Sequence, residues 1–298
     1  MGYHESVLLH ESIEGLNIQP NGIYVDVTFG GGGHSKFILE KLEGGKLFAF
    51  DQDSDSIKNK IEDPRFVLIQ QNFKYLKKFL KFNGVEKVDG ILADLGVSSH
   101  QFDKADRGFS IRFDSDLDMR MNQSQEFSAF DVINEYGLEE LTRVFREFGE
   151  LKNAYSLAKA IVSFREGCSI NSTNDLKEAV KPHTPFHKSN KILAQIFQAI
   201  RIEVNDELNA LKQMLLQSIE LLNPNGRLSV ISYHSLEDRL VKNLFRSGNF
   251  EGILDKNIYG VVNSPLEVIN RKPIVPQIQE VERNSRARSA KLRVCQKK

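Results

Sequence analysis

Residues 23–51 read IYVDVTFGGGGHSKFILEKLEGGKLFAFD, with a glycine-rich turn between two short hydrophobic runs. The first run, residues 23–29, and the second, Lys46–Phe50, are rich in β-branched and aromatic residues, which is typical of buried β-strands. Between them, residues 35–42 have the apolar spacing of a helix. Together they predict a βαβ unit, in which the two strands are parallel.

The same alternation continues to about residue 101. Residues 54–61 and 73–82 have helical spacing, whereas residues 66–70 and 88–93 resemble strands. Strands and helices that alternate at this pitch predict an open, parallel α/β sheet of the Rossmann-like, nucleotide-binding type.

Beyond Gln101 the next strand-like run is residues 227–233, and the sequence between has helical periodicity. The predicted helices are Leu138–Glu147, Ala154–Arg165, Thr173–Val180 and a long stretch over residues 190–222. An α-helical domain inserted into the α/β domain explains this pattern. The predicted domains are residues 1–104 and 206–298 for the two parts of the α/β domain and 105–205 for the insertion.

The chain ends in a helix predicted over residues 235–246 and a strand predicted over residues 291–295, while residues 247–282 carry no assignable pattern. All charged side chains among residues 283–298 are basic, which suits binding to an RNA phosphate backbone. A solvated tail that keeps the protein soluble explains these charges equally well.

Composition limits the class of protein. The 298 residues carry 40 basic and 40 acidic side chains, and 40% are hydrophobic, which suffices for a sizeable core. The sequence has no apolar run of about 18 residues and no signal-peptide pattern, so we expect a soluble, cytoplasmic protein that does not enter membranes. Cys168 and Cys295 lie far apart and match no metal-ligand spacing, so neither a disulfide framework nor a metal site is expected.

Four consecutive glycines, Gly30 to Gly33, follow the first strand, where backbone amides can approach a nucleotide closely. The dinucleotide pattern GxGxxG is absent, because its last position falls on Ser35 or Lys36. Asp26, four residues before a G-x-G, instead resembles the first motif of S-adenosylmethionine-dependent methyltransferases.

Three further residues lie at predicted strand ends. Asp51 follows the second strand and can accept hydrogen bonds from both ribose hydroxyls of NAD or of S-adenosylmethionine, with Asp53 as a near alternative. Phe73 can cover an adenine ring or belong to the core. Asp94 ends the fourth strand, at the edge where open α/β sheets bind ligands.

Eight blocks in order along the chain then identify a family resemblance. They are HESVLLHE, VDVTFGGGGHS, DLGVSSHQFD, RGFS, LDMRM, FQAIRIEVNDEL, SYHSLEDRLVK and RARSAKLR. They resemble the RsmH (MraW) family of bacterial small-subunit ribosomal RNA cytosine-N4 methyltransferases.

The resemblance implies a Rossmann-like methyltransferase domain with a helical, substrate-recognising insertion. It implies S-adenosylmethionine as cofactor and, as partner, 16S rRNA within the small ribosomal subunit, methylated on the exocyclic N4 of a cytidine in the decoding region. The cofactor residues carried over are Gly32, Gly33, His34, Asp51, Phe73, Asp94 and Gln101.

Asp94 is the predicted catalytic residue, as acceptor of the N4 proton, and the competing interpretation is that it holds the amino group of the cofactor. Candidates for stacking a flipped cytidine are Phe102, Phe109 and Tyr233. Ser235 and Asp238 have the spacing of a helix capping box, although the neighbouring His234 can also line the pocket. Candidates for phosphate contacts near the site are Arg107, Arg112, Arg120 and Arg201.

Two other functions compete with this one. A nicotinamide-dependent oxidoreductase shares the glycine turn and Asp51 but predicts the missing GxGxxG, and a non-catalytic RNA-binding factor needs no intact cofactor loop. The sequence leaves open whether the protein is a monomer or a homodimer.

Overall fold

The computed structural model describes residues 6–298, so His4 and Glu5 of the first family block lie outside the described residues. The described residues form two compact units, one containing residues 6–96 and 208–298, the other residues 97–207. The sequence placed these boundaries at 104 and 205, so residues 97–104 lie in the second unit instead of the first.

The described residues contain twelve α-helices, six short 3-10 helices and seven strands. The first part of the chain contains α1 (Leu9–Leu16), β1 (Ile23–Asp26), α2 (Gly33–Lys41), β2 (Lys46–Phe50), β3 (Phe66–Ile69), α3 (Leu76–Phe82) and β4 (Val88–Asp94). The middle part contains α4 (Ser99–Asp103), α5 (Ala129–Glu135), α6 (Leu138–Glu147), α7 (Ala154–Arg165), α8 (Thr173–Val180) and α9 (Ser189–Asn205). The last part contains α10 (Glu207–Leu221), β5 (Leu222–Ser232), α11 (Ser235–Ser247), β6 (Leu266–Val268), α12 (Ile278–Arg283) and β7 (Lys291–Lys297).

All seven strands form one sheet in the order β3-β2-β1-β4-β5-β7-β6. The first five are parallel, and β7 runs antiparallel between β5 and β6. The chain first builds the sheet outward from β1 to β3 and then returns to add β4 on the other side of β1. This reversal opens a crevice at the carboxyl ends of β1 and β4, where ligands of doubly wound folds bind. The predicted Rossmann-like α/β fold is confirmed.

Both faces of the sheet are buried, as the hydrophobic strands require. Val25, Ile91 and Val230 belong to one core cluster, with residues of α3, α10 and α11. Tyr24 and Leu47 belong to the cluster on α1 and α2. This packing holds the strand ends in a fixed arrangement.

The second unit is helical and has its own core, which includes Val132, Phe145, Ile161 and Ile196. The predicted helices that became α6, α7 and α8 are confirmed to the residue. The long helical stretch predicted over residues 190–222 is confirmed as helical, but it is divided into α9 and α10 by a left-handed conformation at Asp206 (φ 52°).

Two more predictions need correction. Residues 54–61 do not form an α-helix but a short 3-10 helix, Ser54–Asn59. The unassigned residues 247–282 contain β6 and α12.

The basic C-terminal residues are not a free tail, because much of this segment is strand β7 inside the sheet. Arg293 is 8% exposed and donates to the Asp238 carboxylate at 2.6 Å, and Lys291 lies 3.3 Å from the same carboxylate. The charges that suggested RNA binding are therefore partly neutralised within the protein.

None of the helices in residues 6–298 combines the length and the apolar character that a membrane crossing needs.

Candidate cofactor site

The glycine turn connects β1 to α2 at the crevice. Gly30 and Gly32 have left-handed φ values of 51° and 76°, and a Cβ on Gly32 would lie 2.9 Å from the Phe29 ring. A Cβ on Gly31 would meet open space. The turn is therefore exposed at Gly31, and non-glycine residues would distort it at positions 30 and 32.

Asp51 ties this turn to the end of β2. Its Oδ2 accepts from the backbone N–H of Gly30 at 2.8 Å, and its Oδ1 accepts from that of Asp53 at 2.8 Å. Burial raises the pKa of Asp51 to about 6. A carboxylate has about four acceptor positions, so two hydroxyl donors such as those of a ribose can still bind.

Asp53, the alternative to Asp51, has a different task. Its side chain accepts from the backbone N–H of Asp55 and caps the 3-10 helix Ser54–Asn59. The geometry therefore favours Asp51 as the ribose ligand.

Asp26 is a buried support for the turn, with 1% exposure. Its carboxylate accepts from the Ser35 hydroxyl at 2.7 Å and from the Thr28 N–H at 3.0 Å. Burial raises the pKa of Asp26 in spite of these bonds. Asp26 thus positions the turn and α2.

Asp94 ends β4 beside the turn. Its Oδ1 accepts from the Tyr233 hydroxyl at 2.7 Å, and its backbone N–H donates to Thr28 Oγ1 at 2.6 Å. The side chain keeps 22% exposure, and burial raises its pKa to about 7 although the bond from Tyr233 lowers it. Asp94 is therefore a fixed carboxyl group that can exchange a proton near neutral pH.

His34 lies in the first turn of α2 and is 5% exposed. Its Nε2 lies 3.2 Å from the carbonyl oxygen of Val7, and its Nδ1 lies 3.8 Å from Asp94 Oδ2. Burial lowers the pKa of His34 to about 4, so the ring is neutral at pH 7. Since the carbonyl can only accept, Nε2 carries the hydrogen and Nδ1 presents its lone pair towards Asp94.

The segment at Ser6 and Val7 lies against the start of α2, since a side chain on Gly33 would collide with Ser6. This gives the HESVLLHE block a physical purpose that the sequence did not reveal, because no local pattern in the block points to a contact with Gly33 or His34.

Phe73 and Gln101 have partly structural roles. Phe73 packs against the sheet core and remains partly exposed, in the 3-10 turn that Asn72 caps by accepting from Lys74 N–H. Gln101 belongs to the second unit, where its side chain accepts from Ser98 N–H and completes the capping box of α4.

The crevice combines a glycine turn, a carboxylate at Asp51 that can accept from ribose hydroxyls, and a carboxyl group at Asp94 with a pKa of about 7. This combination suits a nucleoside cofactor. The sequence profile described as "MraW methylase family" matches residues 1–298. This chain belongs to the MraW methylase family. The resemblance seen in the eight blocks is thereby confirmed, together with methyl transfer as the class of reaction and S-adenosylmethionine as the cofactor of this methylase.

Relatives span essentially the whole chain. It is 58% identical over 298 residues to the Ribosomal RNA small subunit methyltransferase H of Christiangramia forsetii, which covers 100% of this chain and 98% of that protein. It is 57% identical over 298 residues to the protein of the same name from Flavobacterium johnsoniae, with the same coverage. The corresponding Bacteroides thetaiotaomicron protein is 52% identical over 297 residues, which cover 99% of this chain and 98% of that protein.

The capping box of this methylase differs from the predicted Ser235–Asp238 pair. The cap residue of α11 is His234, and the Glu237 carboxylate accepts from the N–H of Tyr233 at 2.9 Å and of His234 at 3.4 Å. The prediction was wrong by one position because Ser235 is the more common cap residue type. Glu237 consequently fixes the backbone that carries Tyr233.

The three aromatic residues predicted to stack on the substrate base all have contacts within the protein. Phe109 is 5% exposed and belongs to the helical core, and Phe102 packs against that core. The Tyr233 hydroxyl is bound to Asp94. None of the three is a freely exposed stacking surface.

Three of the four arginine candidates make intramolecular bonds. Arg107 is 2% exposed and donates to the carbonyl oxygens of Arg120 and Met121, Arg120 pairs with Asp118, and Arg201 pairs with Glu207. Arg112 is exposed. No local sequence pattern distinguishes these roles, since the tertiary fold determines each partner.

Proposed function

We propose that this protein methylates the exocyclic N4 of a cytidine in the decoding region of 16S rRNA, using S-adenosylmethionine, within the cytoplasmic small ribosomal subunit. Support comes from the whole-chain family match and from relatives that are named small-subunit ribosomal RNA methyltransferases over their full length. The atom methylated rests on the family resemblance and on the carboxyl group at Asp94.

The residues at the crevice fit the cofactor. Asp51 offers acceptors for the ribose hydroxyls, the turn at Gly31 offers open space, and the partly exposed Phe73 offers an apolar face for adenine. When bound, S-adenosylmethionine supplies an electrophilic methyl group on a sulfonium. The protein must then provide orientation and a nucleophilic nitrogen.

The nucleophile is the difficult part, because the N4 lone pair of cytosine is delocalised into its ring. A carboxylate that accepts a hydrogen bond from N4–H favours a pyramidal nitrogen and takes the proton lost when the N–C bond forms. Asp94 is suited to this because its pKa of about 7 leaves a large deprotonated fraction at neutral pH. The single observation that carries this role is the Tyr233 hydroxyl at 2.7 Å, which fixes Oδ1 of Asp94. The other oxygen, Oδ2, lies 3.8 Å from Nδ1 of His34, which presents a lone pair, and can accept from N4–H.

Asp94→Asn tests this assignment with isosteric geometry. We expect kcat for methyl transfer to unmethylated small subunits to fall by at least about 100-fold, while calorimetry shows S-adenosylmethionine affinity within a few-fold of the wild type. Loss of cofactor affinity with little further effect on kcat would instead assign Asp94 to the cofactor amino group.

The product and the ligand test the function itself. Nucleoside analysis of the reacted RNA is expected to give N4-methylcytidine, and calorimetry with NADH is expected to give no binding. Methylation of another atom, or subunit binding without any methyl transfer, would contradict the proposal.

A further inference from the structure

Residues 72–82 read NFKYLKKFLKF and carry four lysines, four aromatic residues and no acid. They form the 3-10 turn Phe73–Tyr75 and helix α3 on the outside of the first unit. Leu76 and Leu80 face the core and are fully buried. The opposite side has a different composition.

That side exposes aromatic and cationic groups together. Tyr75 is 43% and Phe82 86% exposed, and Lys78 and Lys81 are exposed between them. Helical spacing places Lys78 on the same stripe as Tyr75 and Phe82, with Lys74 and Lys81 beside it. We call Lys74, Tyr75, Lys78, Lys81 and Phe82 the α3 surface.

The three lysines of the α3 surface are not neutralised. Among residues 6–298 none of them forms an ion pair with a carboxylate, whereas their neighbour Lys77 pairs with Glu220. The Lys74 ammonium instead lies 5.4 Å from the Tyr75 ring centroid, and that of Lys78 lies 5.9 Å from the Phe79 ring. Lys78 and Lys81 are exposed and Lys74 is partly exposed, so these charges are available to an anion.

The backbone below is held rigidly. The Gln217 side chain of α10 donates to the carbonyl oxygen of Lys74 and accepts from the N–H of Lys77, both at 2.8 Å. This clamp spans the junction between the 3-10 turn and α3. The side chains above it are thus presented on a fixed platform, which lowers the ordering cost of binding.

We propose that the α3 surface binds a single-stranded segment of the RNA substrate, with the lysines on phosphates and with Tyr75 and Phe82 stacked on bases. Seven residues of helix separate the two rings by about 10 Å along the axis, or about three nucleotides of a stacked strand. Interleaved cations and exposed rings are the pattern that binds single strands without reading their sequence. This inference rests on the proposed function for the identity of the RNA.

A lysine variant measures the electrostatic part. We expect Lys74→Gln, Lys78→Gln and Lys81→Gln combined to raise KM for unmethylated small subunits by about tenfold or more and to lower the salt dependence of log Kd for a labelled, unpaired rRNA fragment by about 2. The matched control is Lys41→Gln, Lys46→Gln and Lys256→Gln combined, three exposed lysines outside this surface. Both variants should keep the wild-type kcat and S-adenosylmethionine affinity.

An aromatic variant measures stacking separately. Tyr75→Ala with Phe82→Ala is expected to weaken fragment binding by about tenfold without changing its salt dependence, because stacking releases no counterions. Tyr259→Ala with Phe186→Ala is the matched control, since these rings are 83% and 100% exposed.

Unchanged KM and unchanged salt dependence in the lysine variant would overturn the inference. So would unaltered RNA binding together with lysine-dependent binding to vesicles of anionic lipid, which would make the surface a membrane contact. If the wild type binds the fragment through these residues but transfers no methyl group to subunits, the proposed function fails and the α3 surface stands.

Discussion

The acidic residues at the carboxyl edge of the sheet and the acidic residue that contacts the C-terminal strand β7 have pKa values shifted in opposite directions. At the edge, Asp51 and Asp94 have N–H and O–H donors as partners, and burial raises their pKa values to about 6 and about 7. Burial also opposes ionisation of Asp238 in α11, but the hydrogen bonds and charges of Arg293 and Lys291 in β7 together outweigh it and lower the pKa of Asp238. Acids in the site thus keep capacity for a ligand or a proton, whereas Asp238 is neutralised by the ion pairs that connect α11 to β7.

Removing Asp51, the proposed ribose ligand, should have the largest effect. Asp51→Ala is expected to weaken S-adenosylmethionine binding by about 100-fold, since two charge-assisted hydrogen bonds are lost. Calorimetry measures the affinity, and Asp53→Ala serves as comparison because the Asp53 side chain caps a 3-10 helix by accepting from the N–H of Asp55. Equal losses in the two variants would show that the loop, and not the carboxylate of Asp51, determines affinity.

Removing the Asp238 carboxylate should lower the stability of the protein and leave its catalytic rate unchanged. Asp238→Ala leaves Arg293 buried without its partner, so we expect about 2 kcal/mol loss in the free energy of unfolding. Urea denaturation measures this, and kcat should stay within twofold of the wild type. A large fall in kcat of the folded variant would mean that β7 belongs to the active site.

Tyr233→Phe sharpens the comparison at Asp94. If the carboxylate form is the proton acceptor, kcat rises with pH through about 7 in the wild type. The hydrogen bond from the Tyr233 hydroxyl lowers the pKa of Asp94, so its loss should raise that pKa further. We expect the rise of kcat with pH to shift upward by about one pH unit, which makes kcat about tenfold lower at pH values below the pKa.

Three other charged groups act on this pair: Asp26 on Asp94, Glu280 on Tyr233, and Glu237 on both. The neutral His34 also faces Asp94. All of them are retained in the variant. Tyr24→Phe is the control, because its hydroxyl only accepts from the N–H of Gln19. A pH profile that does not move, or that moves equally in the control, would exclude Tyr233 as the residue that positions Asp94.

The smallest expected effect concerns the glycine turn. Gly31→Ala meets no protein atom, so the free energy of unfolding should stay within about 0.5 kcal/mol of the wild type, while cofactor affinity falls by a few-fold if the ligand fills this space. Gly32→Ala, at φ 76° and against Phe29, should instead destabilise the protein by about 1 kcal/mol or more. Thermal unfolding and calorimetry together separate the two, and equal affinity in Gly31→Ala would place the cofactor elsewhere.

Local signals predicted much of this molecule. The strands around the glycine turn and helices α6 to α8 follow from hydrophobic periodicity, because each buries one face. The preference for Asp51 over Asp53 followed from the strand end. The helix break at Asp206 had no signal, since a left-handed aspartate looks like any other polar residue in a helix.

Partners far apart in the sequence could not be predicted. Tyr233 donates to Asp94 across 139 residues, and Arg293 reaches Asp238 across 55. The guanidinium groups of Arg107 and Arg201, which suggested RNA contacts, bind other residues of the protein instead.

The sequence by itself determined the parallel sheet, the glycine turn and the family, because these depend on side-chain periodicity, on backbone freedom at a few glycines and on the order of motifs. The tertiary structure alone decided which charges remain available to a ligand. A carboxylate or guanidinium has the same chemistry everywhere in the chain, and only packing determines whether its partner is a cation, a hydroxyl, a backbone group or solvent.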